Sequence, residues 1–315
     1  MDIYIDELNL ESFLNQKENS LYEDTLKLLK RQLGLKFNFS KDRLKANENL
    51  LPLIQLLTSG VGNTEITFKN NFPNRPLKSN STNDFNSNQL SSIYWINDTD
   101  CNKLIESGSI ILGELGEEIN LINKLFFHQD DYLFEKKWRI NGEGFRNWDD
   151  IKDFSLPLTD IIIVDNYILS NKEIFNTNLL SYLSVLMNNS QAKVNIVVYA
   201  HPEQIDDDET EILKQIKTCI KNATGKKGTA TIIKTRKEHD RTILTNYNRI
   251  YSGDSFNFWD GAGRKITKGK EITYSSNARE ENHQLFKDLL KDLQGIIDKN
   301  PENIEGDKIS SYLNF

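Results

Sequence analysis

The run Ile161-Ile162-Ile163-Val164 limits the fold more than any other stretch of this chain. Four consecutive β-branched residues leave no polar face to meet water, so the run reads as a strand covered on both sides, as in a parallel sheet. The chain beyond Val164 has the matching rhythm. Residues 178–187 have the apolar content of a helix, 194–199 form a second apolar strand, 209–222 a second amphipathic helix and 229–233 a third strand. Such a βαβαβ series predicts a mainly parallel sheet with helices on its faces and ligands at the carboxyl ends of its strands. No Gly-x-Gly-x-x-Gly or phosphate-loop lysine motif follows any of the three strands, which disfavours the familiar nucleotide sites.

The 315 residues suffice for two domains. The texture changes near residue 150, so the expected division is an N-terminal α+β region over 1–150 and a C-terminal α/β domain over 151–315. In the first, leucine spacing predicts a helix over 20–35 and another over 47–57 that contains Pro52. Strands are expected over 65–68 and 93–96, a helix over 114–127, and a loop over the Asn- and Ser-rich stretch 70–92. No apolar run approaches the roughly 20 residues that span a bilayer. The start, Met1 to Asp6, lacks the features of a signal peptide, and the expected location is the cytoplasm.

Residues that invite a metal or a disulfide have plainer readings. Cys101 and Cys219 read as buried thiols, His128-Gln129-Asp130-Asp131 as a solvated turn, and Asp206 to Glu209 as charge complementing a helix start. Glu135-Lys136-Lys137 echoes the acid-x-Lys of metal-dependent nucleases, but no separated strand-borne aspartate accompanies it. The expectation is no metal and no cofactor.

Charge is unevenly placed. Between Lys214 and Lys270 there are fourteen basic and four acidic side chains, which leaves −17 for the rest of a chain whose net charge is −7. A local site for an anion, a phosphodiester above all, is the reading, with Lys226 and Lys227 among its phosphate-binding residues; a solvated basic face is the alternative.

The segment that carries chemistry runs from His239 to Asn257, HDRTILTNYNRIYSGDSFN. In an extended chain His239 and Arg241 share a face, so an imidazole and a guanidinium can converge on one phosphate. Asn246-Tyr247-Asn248 supplies a turn, and Gly253 lets the backbone come close to a ligand. Asp165, after the first strand, reads as a cap for the next segment, and Phe256, Phe258 and Trp259 as packing residues.

The segment resembles the motif of the phospholipase D superfamily, which runs His-x-Lys, four residues, Asp, six residues, then Gly-Ser/Gly-x-x-Asn. His239, Gly253 and Asn257 match, Arg241 stands where lysine is usual, and Asn246 where aspartate is usual. The resemblance spans about residues 160–294 and implies a phospholipase D-like mixed sheet flanked by helices. It also implies metal-free phosphodiester chemistry, in which one histidine attacks phosphorus and a second protonates the leaving oxygen. With one motif per chain, two copies meet, hence a homodimer. His239 is then the nucleophile, Arg241 and Asn257 bind the non-bridging oxygens with Gly253 and Ser255 beside them, and Asn246 takes the place of the carboxylate that orients the histidine. Nucleic acid is expected ahead of lipid, and a prokaryotic antiviral setting is implied by resemblance only. A catalytically inactive scaffold for phosphate-rich partners and a membrane-surface adaptor stand as alternatives.

Overall fold

The computed structural model describes residues 1–31, 33–60, 66–68, 92–96, 102–125, 135–188, 190–205, 208–236 and 241–315. Among these, thirteen strands form two sheets, and the chain divides into two compact units, Met1–Phe134 with Ala278–His283 and Glu135–Asn277 with Gln284–Phe315.

The first unit, expected as an α+β region, holds one sheet flanked by helices. Its strands are β1 (Asp2–Ile5), β2 (Gly34–Phe37), β3 (Ile66–Phe68), β4 (Ile93–Trp95) and β5 (Ile110–Leu112), in the order β3-β2-β1-β4-β5 with every pairing parallel. Strands of three or four residues are too short for periodicity to separate from pieces of helix, so β1, β2 and β5 escape a sequence reading. The helix expected over 20–35 is Tyr22–Arg31, and its last residues go instead into β2, where Leu35 and Phe37 are buried. Pro52 is tolerated because it lies in the first turn of Leu50–Thr58, where a missing N–H costs no intrahelical bond. The region expected as one helix over 114–127 is a 3-10 turn, Glu117–Asn120, followed by Leu121–Leu125. The fully buried Glu118 carboxylate is matched by donors from Asn9 (2.8 Å), Ser12 (3.1 Å), Gln16 (3.1 Å) and the Gly116 N–H (2.8 Å).

The second unit is a mixed α/β fold. Its sheet has the order β13-β9-β8-β7-β10-β11-β12-β6, with β6 (Glu135–Arg139), β7 (Asp160–Val164), β8 (Asn195–Ala200), β9 (Thr229–Lys234), β10 (Arg241–Thr245), β11 (Asn248–Ser252), β12 (Glu271–Ser276) and β13 (Ile304–Gly306). As the βαβαβ pattern requires, β7, β8 and β9 are parallel; Asp160, Asn195 and Thr229 are in register at their amino ends and Val164, Tyr199 and Ile233 near their carboxyl ends. From β10 onward the strands are antiparallel, Thr242 lying opposite Val164 and Thr245 opposite Ile161. The unit takes in β6, which pairs with β12, so it begins at Glu135 and not near residue 150. Lys136 of β6 stands over the rings of Trp138 and Phe154, at 5.5 and 5.2 Å from their centroids, a packing role for the segment that echoes a nuclease.

Long connections in this unit are held by buried polar side chains. Asn178, in the π-helical turn Asn176–Leu180, accepts the N–H groups of Phe258 (2.8 Å) and Trp259 (3.1 Å) and donates to the Trp259 carbonyl (2.8 Å) and the Ile174 carbonyl (2.9 Å). One amide therefore clamps the β11–β12 connection. Phe256, Phe258 and Trp259 are buried there among Phe145, Trp148 and Tyr182, with Trp148 and Phe258 stacked at 5.3 Å. Asn178→Ala leaves two N–H groups and a carbonyl of Phe258 and Trp259 without that partner, and the expected loss is about 3 kcal/mol of unfolding free energy. Urea denaturation measures it; a loss under about 1 kcal/mol would show that the clamp is dispensable.

Candidate functional site

The carboxyl end of the second sheet gathers three chain segments. β7 leaves at Val164 into Asp165-Asn166-Tyr167, β10 enters at Arg241, and β11 leaves at Ser252 into the Gly253–Asn257 loop. The register sets Arg241 opposite Ser252 and one residue from the Thr242–Val164 pair, which brings it beside Asp165. Its guanidinium lies 5.9 Å from the centroid of the Tyr167 ring.

Asp165 bonds to the Gly253–Asn257 loop as well as to the turn after β7. Buried at 1% exposure, it accepts the Tyr167 N–H (2.9 Å) on one oxygen and both the Ser255 hydroxyl (2.8 Å) and the Phe256 N–H (2.7 Å) on the other. Burial raises its carboxyl above the ordinary 3.8, against the pull of those donors and of the Arg241 charge. This carboxylate thus ties the motif loop to the turn after β7. The neighbouring Asp254 is held below its ordinary value: burial opposes ionisation, but the Ser255, Gly269 and Lys268 N–H groups and the Thr267 hydroxyl outweigh it.

The structure redistributes the expected roles. Ser255 spends its hydroxyl on Asp165 and accepts the Asn257 N–H at 3.2 Å. Asn257 donates one amide N–H to the Tyr167 carbonyl at 2.6 Å, and its buried Oδ1 has no partner among the described residues. Both residues thus brace the loop, with the second amide N–H of Asn257 not used in that bond. The space beside Gly253 is open, with no heavy atom within 4 Å of where a side chain would begin.

Asn246, Lys226 and Lys227 lie elsewhere. Asn246 directly follows β10, five residues from Arg241 and roughly 16 Å along the chain. It accepts the N–H groups of Thr159 (2.8 Å) and Asp160 (3.2 Å) and donates to the hydroxyls of Thr159 (2.9 Å) and Tyr312 (2.8 Å). Lys226 and Lys227 precede β9, at the amino end of the parallel strands. The basic segment is not one surface: Lys214 pairs with Glu211, Lys217 with Asp307, Lys234 with Glu209, Arg236 with Glu203 and Arg264 with Asp260. His239 lies outside the described residues, as do Cys101, 128–131, 206–207 and the loop residues 70–91. Cys219 is an ordinary thiol, pushed up to about 11 by burial. Among the described residues no three His, Cys, Asp or Glu side chains form a group that could hold a metal, and no helix is long and apolar enough to cross a membrane.

Two further residues stand at strand ends. Tyr167, the last residue of the Asp-x-Tyr that follows the first buried strand in the sequence, is 42% exposed and meets Arg241 through its ring. His201 directly follows β8. In the first unit the strand order reverses between β1 and β4, the place where open parallel sheets hold ligands. There Asp6, directly after β1, accepts the Asn38 amide at 2.9 Å.

No protein-family model matches the sequence, and no curated protein matches it. Solved structures show similarity of low TM-score. A phospholipase D family member, Nuc from Salmonella typhimurium, is 11% identical over 55% of this chain and 98% of its own, with a TM-score of 0.35. TrmBL2, an archaeal chromatin protein described for its mode of DNA binding, is 10% identical over 58% of this chain and 59% of its own, at 0.30. Phosphatidylserine synthase of Haemophilus influenzae Rd KW20 is 13% identical over 50% of this chain and 35% of its own, at 0.28.

The buried carboxyl gives a pH prediction. Because its folded value is raised, the folded chain holds that proton where the unfolded chain has released it. Its contribution is fully present below the ordinary 3.8 and is lost as pH rises through the raised value. Asp165→Asn titrates no such proton. The stability of the wild type relative to this variant, from urea unfolding at a series of pH values, is expected to fall as pH rises through the carboxylate range. A pH-independent difference would contradict the shift.

Proposed function

We propose that the carboxyl end of the second unit's sheet is a phosphodiester site and that this chain cleaves the diester without a metal, with nucleic acid as the substrate class. Arg241 carries the reading. Register fixes it at the sheet end where ligands gather, two residues after His239 in sequence and beside the exposed Tyr167 ring. A guanidinium offers forked donors to phosphate, and a ring next to it offers a face to a base. That pairing supports nucleic acid over lipid.

In this reading His239 attacks phosphorus in line, forming an N–P bond while the leaving oxygen departs with a proton from a second acid. Water then breaks the N–P bond. Arg241 offsets charge on the non-bridging oxygens in both steps. The lone motif assigns the second acid to another copy of the chain, hence a homodimer. Ser255 and Asn257 serve by holding the loop. An antiviral setting adds no step to this chemistry.

The test is hydrolysis of a dinucleotide-sized phosphodiester by the purified chain. Cleavage is expected to survive excess EDTA, to vanish in His239→Ala and to fall roughly 10²- to 10³-fold in Arg241→Ala. Lys226→Glu with Lys227→Glu is expected to leave it unchanged, since those residues sit at the other end of the strands. Phosphate binding that depends on Arg241 without any turnover would establish the inactive scaffold instead. Cleavage abolished by EDTA, restored by magnesium and intact in His239→Ala would overturn the proposal.

A further inference from the structure

One strand over from Asp165 stands a histidine outside the motif. His201 follows Ala200, the last residue of β8, and its N–H reaches the Asn166 carbonyl at 3.4 Å, in the turn that also carries Asp165 and Tyr167. Its Nδ1 accepts the Glu203 N–H at 3.2 Å, capping the 3-10 turn Pro202–Gln204. With Nδ1 engaged as an acceptor, Nε2 is the ring nitrogen placed to carry a donor N–H. The ring is half-buried, and Nε2 is the nitrogen left for a ligand.

Capping alone does not call for an imidazole. Asn, Asp, Ser and Thr are the preferred caps, and any of them would satisfy the Glu203 N–H with a smaller side chain. The surroundings are also balanced in charge: Glu203 pairs with Arg236 at 2.6 Å, while Asp165 on β7 is met by three donors and by the Arg241 charge. β8 and β10 flank β7, two strand spacings or about 10 Å apart. A guanidinium and an imidazole can bridge that span with a tetrahedral anion between them.

We propose that His201 is a phosphate-binding residue whose Nε2–H donates to a non-bridging oxygen of the anion held by Arg241. The inference rests on the phosphodiester reading and adds a second donor to it, from a different strand of the same chain. No proton is transferred: the ring acts as a hydrogen-bond donor, distinct from the acid that protonates the leaving oxygen.

The experiment is nitrogen-detected NMR of the full chain labelled at its four histidines, titrated with inorganic phosphate, on wild type, His201→Asn and Arg241→Ala. Asparagine keeps a capping oxygen for Glu203 and removes the Nε2–H, so a purely structural histidine would tolerate it. The His201 signals are expected to show the Nε2–H tautomer and to shift saturably with phosphate. His201→Asn is expected to weaken phosphate binding about tenfold with an unchanged urea midpoint. Binding that is lost in Arg241→Ala but leaves the His201 signals unmoved and is unaltered in His201→Asn would make His201 a cap only and leave the Arg241 site standing. An Nδ1–H tautomer would overturn the inference as well. A wild type that binds no phosphate at all would overturn the phosphodiester reading and His201's role with it.

Discussion

A carboxylate buried at the end of a strand can persist only if the chain brings donors to it, and Asp165 sets that requirement for the second unit. Leaving it unmatched would cost several kcal/mol. The donors come from two places far apart in sequence, the Tyr167 N–H just after β7 and the Ser255 hydroxyl and Phe256 N–H about ninety residues on. Satisfying one oxygen therefore fixes the turn that carries Tyr167, and satisfying the other fixes the loop that leaves β11. Asn257 closes the same link from the other side by donating to the Tyr167 carbonyl. Arg241 enters this frame as a charge whose field favours the ionised carboxyl.

The amino end of the same sheet is organised by the same rule with different groups. Asp160 accepts the Ser310 hydroxyl at 2.8 Å and the Ser311 N–H at 2.7 Å, so the carboxyl-terminal segment is drawn to the start of β7. Asn246 then joins Thr159, Asp160 and Tyr312 from the turn of the β10–β11 hairpin. Each end of β7 thus has a buried carboxylate, and at the carboxyl end a cation and an exposed ring join it. That asymmetry distinguishes the two ends of the strand.

Sequence carried the second unit's core because its strands are long and apolar on both faces: Ile161 to Val164, 194–199 and 229–233 appear as β7, β8 and β9 in parallel register. It failed in the first unit for a physical reason. A three-residue strand such as Ile110–Leu112 has no period of its own, and what makes it a strand is pairing with β4, a contact between distant residues. The candidate site was legible only in part. The hydrogen bonds that commit Ser255 and Asn257 to the loop run to Asp165 and Tyr167, about ninety residues away, and motif spacing does not reveal that contact. Tyr167 and His201 become neighbours of the motif only through the order β8-β7-β10.

The spacing of the motif itself has two sources. Five residues from Arg241 to Asn246 are the length of β10, so a pattern that keeps this distance records where the hairpin turns as well as where chemistry sits. An amide at Asn246 is suited to its position: its oxygen accepts two backbone N–H groups while its nitrogen donates to two hydroxyls, and a carboxylate would have no proton for the second task. Asn246 therefore fastens the hairpin end to the start of β7 and to Tyr312, about 16 Å along the chain from Arg241, and an amide meets that demand where a carboxylate does not.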